Sequence, residues 1–589
     1  MHCSIKFPLT MLALLLNLGA ENLAAAAKSS VPLITKAEHT GWLETGRYDE
    51  VERLCAAFAK AYPSNVRCFT FGQTPEGRPM LAMAVGESRF LSPSSKNAHE
   101  RPVVLFQGGI HAGEIDGKDA GFWLLRDILN GKVLPEVLKK VTLVFVPVFN
   151  ADGHERFGAF GRPNQVGPKE MGWRVTAQNF NLNRDYLKVD APETRAMIRL
   201  LRAWDPMLYV DLHVTDGAKF QHDIAVMIEP SLPGPEALRT AAARLSDKTM
   251  SDLKQAGNLP LSFYPSFNID DEPKSGINVG PPSVRFSNGY WSLRNRIGVL
   301  VETHSWRPYD HRVKSTYETV KSLIASAAVS GREWIKAAEA ADAESETLIG
   351  KTLALNYKNT PKSKPIEFLG YAYTRKKSQI SGQFMTRYDP SKPEVWELPL
   401  FYEVEPKISA VVPRAFIIPA AYKDLYEERF KLHGITYDVL KTPWQGKADT
   451  YRTKLTGAFK EPYESHQRPE YDGAWETTTG EAPAGSLKVN MDQVQGKLAM
   501  LLLEPSSPES LLAWGYMNQI FERKEYMEAY VAEEVGEGML KDPVVKAEFQ
   551  EKLKDPEFAK SPEKRLDFFA QKHQSFDQRY LVYPVLRVN

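Results

Sequence analysis

A histidine and a glutamate lie three positions apart just after a strand-like run, a spacing that could hold a metal ion. Residues 106–114 read FQGGIHAGE, so the pair is His111 and Glu114. Zinc accepts imidazole nitrogen and carboxylate oxygen in a near-tetrahedral shell, at about 2.0–2.2 Å. A glycine-bearing turn can aim both side chains at one point. His213, which ends the strand-like run 208–212, supplies a third ligand and leaves one position open for water.

The elements around these residues alternate between strand and helix. Strand-like runs are expected at 81–85, 103–107, 141–148, 208–212 and 297–301, and helices at 117–129, 193–203 and 316–338. Such alternation predicts an α/β fold, with a mixed, largely parallel sheet and helices on both faces. Ligands bind beyond the carboxyl ends of the strands in sheets of this kind. His111 and His213 both lie at such ends.

A second region, 345–589, is expected to be a mixed α+β accessory domain. β-like segments lie at 367–375, 397–404 and 415–418, strands are also expected at 497–503 and 581–588, 443–485 is expected to be irregular, and 507–522 is expected to be a helix. It contains no internal repeat and no catalytic constellation.

The composition excludes some classes of function. The chain has 589 residues, with 74 lysine and arginine against 73 aspartate and glutamate. This balance gives no support to nucleic acid or anionic membrane binding. The length favours two domains, which we place at 28–344 and 345–589. The oligomeric state stays open.

The first 27 residues resemble a cleavable secretory signal. Lys6 precedes a short apolar run, and small residues follow it. We therefore expect a periplasmic or extracellular protein without stable membrane insertion after cleavage. Cys55 and Cys68 could pair in such a compartment, or remain two separate buried thiols.

The order of motifs resembles the zinc carboxypeptidase family, of the carboxypeptidase A type. The matching positions are Glu76-Gly77-Arg78-Pro79, His111 with Glu114, Asn150-Ala151-Asp152-Gly153, Arg174, Asn181 to Arg184, His213, and Val301-Glu302-Thr303. The resemblance covers about residues 40 to 335. It implies hydrolysis of peptide bonds, with removal of C-terminal residues from peptide substrates.

The resemblance also implies a role for each site residue. His111, Glu114 and His213 would bind one Zn²⁺. Glu302 would act as general base and acid, and Arg174 would stabilise the developing oxyanion. The remaining implied substrate contacts are Asn183 and Arg184, which would clamp the terminal carboxylate, and Tyr290, which would close over the substrate.

Three positions depart from the family pattern. Asn181 stands where many relatives have an aspartate that orients a zinc histidine, so Asp211 or Asp116 could contribute instead. Asp185 follows the clamp arginine and could pair with Arg184 or contact an amine-bearing substrate. Tyr290 lies closer in sequence to Glu302 than the corresponding tyrosine of the pancreatic relatives.

Other functions remain open at this stage. The same zinc chemistry could serve a peptidoglycan amidase or endopeptidase, or an N-acyl amino acid deacylase. A non-catalytic binding module is disfavoured because all three ligands and Glu302 are present. The short stretch 28–45 leaves no room for a folded inhibitory pro-domain, so we expect an enzyme that is active without removal of a pro-segment.

Overall fold

The structure, a computed structural model, describes residues 32–93 and 100–589. The predicted signal, residues 1–27, lies outside the described residues. No described helix is both long enough and apolar enough to span a bilayer.

An eight-stranded mixed sheet organises the first part of the chain. Its strand order is β1-β2-β4-β3-β5-β9-β6-β7. The bounds are β1 (Val66–Gln73), β2 (Pro79–Val85), β3 (Val103–Gly108), β4 (Thr142–Val146), β5 (Leu208–Thr215), β6 (Ile224–Glu229), β7 (Pro260–Leu261) and β9 (Ile297–His304). The central strands β4, β3, β5 and β9 are parallel to one another. Their carboxyl ends therefore meet at one edge, where a site can form.

Helices and the C-terminal region cover the two faces of this sheet. The helices are α1 (Lys36–His39), α2 (Tyr48–Ala61), α3 (Asp116–Leu129), α4 (Ala151–Glu155), α5 (Pro192–Trp204), α6 (Glu236–Gln255), α7 (Ser287–Leu293) and α8 (Tyr309–Ser345). One core cluster contains residues of α2, α3, α6 and α8. A second cluster on the opposite face contains residues of α5 and α7 together with many residues that follow position 345.

The C-terminal region is rich in strands. Its strands are β10 (Thr352–Asn359), β11 (Ser363–Lys377), β12 (Phe384–Phe401), β13 (Val404–Val411), β14 (Ala415–Ile418), β15 (Asp438–Val439), β16 (Trp444–Leu455), β17 (Tyr471–Ala482), β18 (Leu487–Asn490) and β19 (Val582–Val588). Its helices are α9 (Lys423–His433), α10 (Gly496–Leu503), α11 (Ala529–Met539), α12 (Pro543–Lys552), α13 (Pro556–Ala559) and α14 (Pro562–Lys572). β8 (Ile277–Asn278) of the first region pairs with β12, which joins the two regions.

The predicted α/β fold with a second α+β region is confirmed, but three C-terminal elements were wrong. Residues 497–503 form a helix rather than a strand, because an apolar run that is buried on all sides carries no period. The stretch 443–485 holds the long paired strands β16 and β17 instead of irregular chain. Most of 507–522 forms turns, with only a short 3₁₀ turn at Asn518–Phe521.

A disulfide links α2 to β1. Cys55 and Cys68 are bonded, with their Cα atoms 5.5 Å apart. The pairing that the sequence left open is therefore made in the structure, where the helix folds back on the first strand.

Candidate active site

Three buried side chains converge at the carboxyl ends of β3 and β5. The Nδ1 atoms of His111 and His213 lie 2.9 and 2.8 Å from the two carboxylate oxygens of Glu114. One ligand atom from each residue lies within 4.8 Å of the others. His111 and Glu114 occupy the turn between β3 and α3, and His213 belongs to β5. The three candidate metal ligands are thus brought together.

An oxygen atom holds the outer nitrogen of each histidine. Nε2 of His111 lies 3.1 Å from Oδ1 of Asn181. Nε2 of His213 lies 2.9 Å from Oδ2 of Asp211. These contacts assign the proton to Nε2. The unprotonated Nδ1 then faces inward, where it can bind a metal ion. Asn181 thus occupies the orienting position that many relatives give to aspartate.

Asp116 plays no part in orienting the histidines. It pairs with Arg312, at 2.9 Å, and accepts a hydrogen bond from Thr303. Of the two alternatives that the sequence offered, the structure places Asp211 at a histidine and places Asp116 in a separate buried ion pair.

Two arginines contact Glu114. Nη1 of Arg162 lies 2.7 Å from Oε1 and Nη1 of Arg174 lies 3.3 Å from the same atom. Burial raises the pKa of Glu114, but Arg162 and His111 outweigh this effect and hold the pKa well below its usual value. Arg162 was missed by sequence reasoning because no motif surrounds it.

Glu302 lies beside His213 because the two residues are register partners on the adjacent strands β9 and β5. Its side chain is nearly buried. Burial raises the pKa of the Glu302 carboxyl to about 8, with His213 opposing and Glu114 adding to the shift. A carboxyl with a raised pKa next to a candidate metal site suits proton transfer.

Asn183 and Arg184 lie in the 3₁₀ turn Leu182–Arg184 and line the same cavity as the metal ligands. Asn183 accepts a hydrogen bond from the backbone N–H of Ser287. The Arg184 guanidinium stacks on Phe286, 4.4 Å from the ring centre. Asp185 does not bind Arg184, contrary to the pairing considered from the sequence. Instead its carboxylate accepts hydrogen bonds from Lys188 Nζ and from two backbone N–H groups.

Tyr290 lies away from the cavity, which contradicts its predicted substrate contact. Its side chain is fully buried in α7, and its hydroxyl lies 2.9 Å from Nδ1 of His433. The helix turns Tyr290 toward the C-terminal region, an orientation that sequence spacing could not show. Tyr264 lines the cavity instead, on the loop after β7, where burial and Glu302 raise its pKa.

The cavity has a volume of about 1010 Å³. Its walls include the metal ligands, Glu302, Arg174 and the clamp residues, together with Leu400 and Tyr402 from the end of β12 and the residue after it. The C-terminal region therefore forms part of the wall. This volume exceeds the space that one side chain needs, so the cavity can hold several residues of a peptide.

The donor set fits zinc. Two neutral imidazoles and one carboxylate are a known catalytic zinc set that leaves a position open. All three residues are buried, and each histidine has an oxygen partner on its outer nitrogen.

Comparison with known proteins agrees with this site. Residues 51–223 match the family model described as zinc carboxypeptidase. This stretch, which contains His111, Glu114 and His213, is therefore similar to zinc carboxypeptidases. The chain is 22% identical to carboxypeptidase 2 of Trichophyton rubrum over 463 residues, which cover 75% of this chain and 79% of that protein.

Other relatives align over shorter stretches. Carboxypeptidase D of Drosophila melanogaster is 26% identical over 149 residues, which cover 23% of this chain and 10% of that protein. The solved carboxypeptidase A from Helicoverpa armigera superposes with a TM-score of 0.36 and 16% identity, covering 56% of this chain and 81% of that one.

Proposed function

We propose that this zinc metallocarboxypeptidase removes single residues from the C-terminus of peptides. The observation that supports this most is the placement of Asn183 and Arg184 in the same cavity as His111, Glu114 and His213. Arginine and asparagine can bind a terminal carboxylate through several hydrogen bonds. A substrate held there by its free end presents its last peptide bond to the metal ligands.

Each side chain has a part in the reaction. Zinc, when bound, polarises the substrate carbonyl and acidifies water. The Glu302 carboxylate accepts a proton from the attacking water and delivers it to the leaving amine. The Arg174 guanidinium donates hydrogen bonds to the carbonyl oxygen as negative charge develops. Burial of Glu302 keeps its proton affinity high enough for both transfers.

We also propose that the enzyme works outside the cytoplasm. The disulfide between Cys55 and Cys68 supports this, since such bonds persist in oxidising compartments.

The direct test is mass spectrometry of a peptide mixture and of peptidoglycan fragments after incubation with the zinc-loaded enzyme. We expect stepwise loss of residues from peptide C-termini. The Glu302→Gln variant should lose on the order of 100- to 10,000-fold in kcat, as for other general bases. Glu193→Gln is a matched control, because Glu193 is equally buried but lies outside the cavity.

Two results would contradict the proposal. Cleavage confined to peptidoglycan fragments would favour the amidase or endopeptidase alternative. Release of fatty or other acyl groups from N-acyl amino acids, without peptide cleavage, would favour the deacylase.

A further inference from the structure

The loop that follows the clamp turn is held by residues from the C-terminal region. Its key residue is Asp190, six positions after Arg184. The Asp190 carboxylate binds Nη2 of Arg429 at 3.2 Å and Nε2 of His466 at 2.7 Å, and it accepts a hydrogen bond from the Tyr516 hydroxyl. Three side chains from three separate segments therefore converge on one carboxylate.

The backbone of the same loop is held as well. Nε of Arg429 donates to the carbonyl oxygen of Lys188 at 3.1 Å, and Nε2 of His433 lies 2.9 Å from the carbonyl oxygen of Leu187. Arg429 and His433 both belong to α9. The C-terminal region thus fixes the path of residues 187–190 as well as the Asp190 side chain.

This loop connects directly to the clamp. The Asp185 carboxylate, next to Arg184, accepts hydrogen bonds from Lys188 Nζ at 2.9 Å and from the N–H groups of Asp190 and Ala191 at 3.0 and 2.9 Å. Asp185 and Lys188 are almost completely buried. Because the loop closes on Asp185, a shift at Asp190 moves the residue that adjoins the clamp arginine.

The segment that carries His466 has a strained backbone. Tyr463 and His466 pair across a tight turn, in which Glu464 and Ser465 have φ angles of 48° and 69°. Side-chain-bearing residues seldom adopt this left-handed conformation, and such residues cluster at functional sites. Tyr463 stacks on Trp514, with 6.1 Å between ring centres. This packing holds His466 against Asp190.

We propose that the C-terminal domain positions the Asn183–Arg184 clamp through Asp190, which makes Asp190 a positioning residue for the substrate carboxylate. This inference rests on the proposed function, in which the clamp binds that carboxylate. The Asp190 carboxylate is stabilised in its charged form. Burial raises its pKa, but hydrogen bonds from His466 and Tyr516 and the charge of Lys188 outweigh this effect and lower it.

Kinetics of the Asp190→Asn variant test this. Loss of the charge weakens the contacts with Arg429 and His466 and lets the clamp loop shift. We expect KM for a peptide with a free C-terminal carboxylate to rise on the order of tenfold, since displacements of about 1 Å cost up to roughly 100-fold. The kcat should stay within about twofold, because the metal ligands and Glu302 are untouched. His466→Gln should give the same split from the other side of the contact.

Ligand-binding measurements distinguish an effect on the clamp from an effect on the metal centre. Calorimetry on the zinc-loaded enzyme would compare a benzylsuccinate-type dicarboxylate with a benzyl hydroxamate that binds metal but lacks the terminal carboxylate. In both variants we expect the dissociation constant of the dicarboxylate to rise on the order of tenfold, as KM does. The constant for the hydroxamate should not change.

Asp342→Asn is the matched control. Asp342 is a half-buried aspartate that pairs with Arg296 at 3.0 Å, outside the cavity. Asp342→Asn should alter the thermal stability but leave the dissociation constants of both ligands unchanged. Equal weakening of both ligands in Asp190→Asn, or a fall in kcat alone, would overturn the inference while peptide cleavage by the wild type upheld the proposed function. Wild-type enzyme that neither trims peptides nor binds the dicarboxylate would overturn both.

Discussion

At the scale of single residues, the partner of His213 offers a test of the metal site. Asp211 accepts hydrogen bonds from Nε2 of His213 at 2.9 Å and from the Ser287 hydroxyl at 2.5 Å. Loss of the charge in Asp211→Asn should weaken zinc binding by about 10- to 100-fold, as for other partners of metal-bound histidines. Competition with a chelating dye measures this constant.

Asp127→Asn is the control for that experiment. Asp127 is also buried, but it binds Tyr317 and Lys132 instead of a histidine. It should leave the zinc affinity unchanged. An unaltered affinity in Asp211→Asn would show that the Asp211 contact does not support the metal site.

Glu193 predicts a pH dependence of stability. Both of its carboxylate oxygens are buried without a hydrogen-bond partner among the described residues. Burial raises its pKa from 4.5 to about 7, and the charges of Asp152 and Asp185 add to the shift. A carboxyl whose pKa is higher in the folded state stabilises the fold below its unfolded pKa, and this contribution is lost as pH rises through 7.

Relative to the wild type, Glu193→Gln should therefore become more stable as the pH rises from 6 to 9. The relative gain should be about 1.4 kcal/mol, because about one pKa unit separates pH 6 from the folded-state pKa. Urea unfolding at both pH values measures it. A difference between variant and wild type that does not change with pH would contradict the assignment.

The candidate ligands could be predicted from sequence because each lies next to a strand with a clear apolar pattern. His111 and Glu114 follow β3, and His213 and Glu302 lie within β5 and β9. Arg162 could not be found this way. It reaches Glu114 from an irregular segment, and only the three-dimensional path of the chain brings it there.

At the scale of elements, the packing of α3 on the sheet depends on Gly121. A Cβ at this position would overlap the ring of Phe145 in β4. Alanine favours a helix by about 1 kcal/mol over glycine, but overpacking costs about 1–3 kcal/mol. Gly121→Ala should therefore lower the free energy of unfolding, measured in urea.

Gly538→Ala is the matched control in a helix. Gly538 lies in α11, and a Cβ there would meet no atom within 4 Å. It should gain up to about 1 kcal/mol from helix propensity alone. Equal gains at both positions would show that α3 and β4 are not in close contact.

Predictions of elements succeeded for short apolar runs that are buried on both faces of the sheet, such as β3 and β5, and failed for strands rich in polar residues. The strands that carry the site were predicted to within a few residues. The paired strands β16 and β17 were missed because their polar residues face solvent along most of their length. Their pairing comes from contacts across the sheet, which a local pattern does not reveal.

At the scale of the whole molecule, one hydrophobic cluster joins the two regions. It contains Tyr209 and Trp291 from the first region together with Phe416 and Leu487 from the C-terminal region. A core shared in this way favours cooperative unfolding, because neither region can lose its half without exposing the other. The predicted boundary at 344/345 falls at the end of α8, and the separation of the two regions into domains stays a prediction.

Cooperative unfolding can be tested with cobalt in place of zinc. Thermal unfolding followed by cobalt absorption and by circular dichroism should give one midpoint. Phe416→Ala, in β14, should cost about 3–5 kcal/mol of stability. It should lower the midpoints of both signals together, although Phe416 lies in the C-terminal region.

Phe569→Ala is the matched control. Phe569 is also buried, but it packs with Phe549 and Phe568 in the peripheral helices. It belongs to none of the core clusters found among the described residues. It should lower the cobalt midpoint less than Phe416→Ala does. Cobalt absorption in Phe416→Ala that persists above the midpoint of the circular dichroism signal would mean that the metal centre is supported by the first region alone.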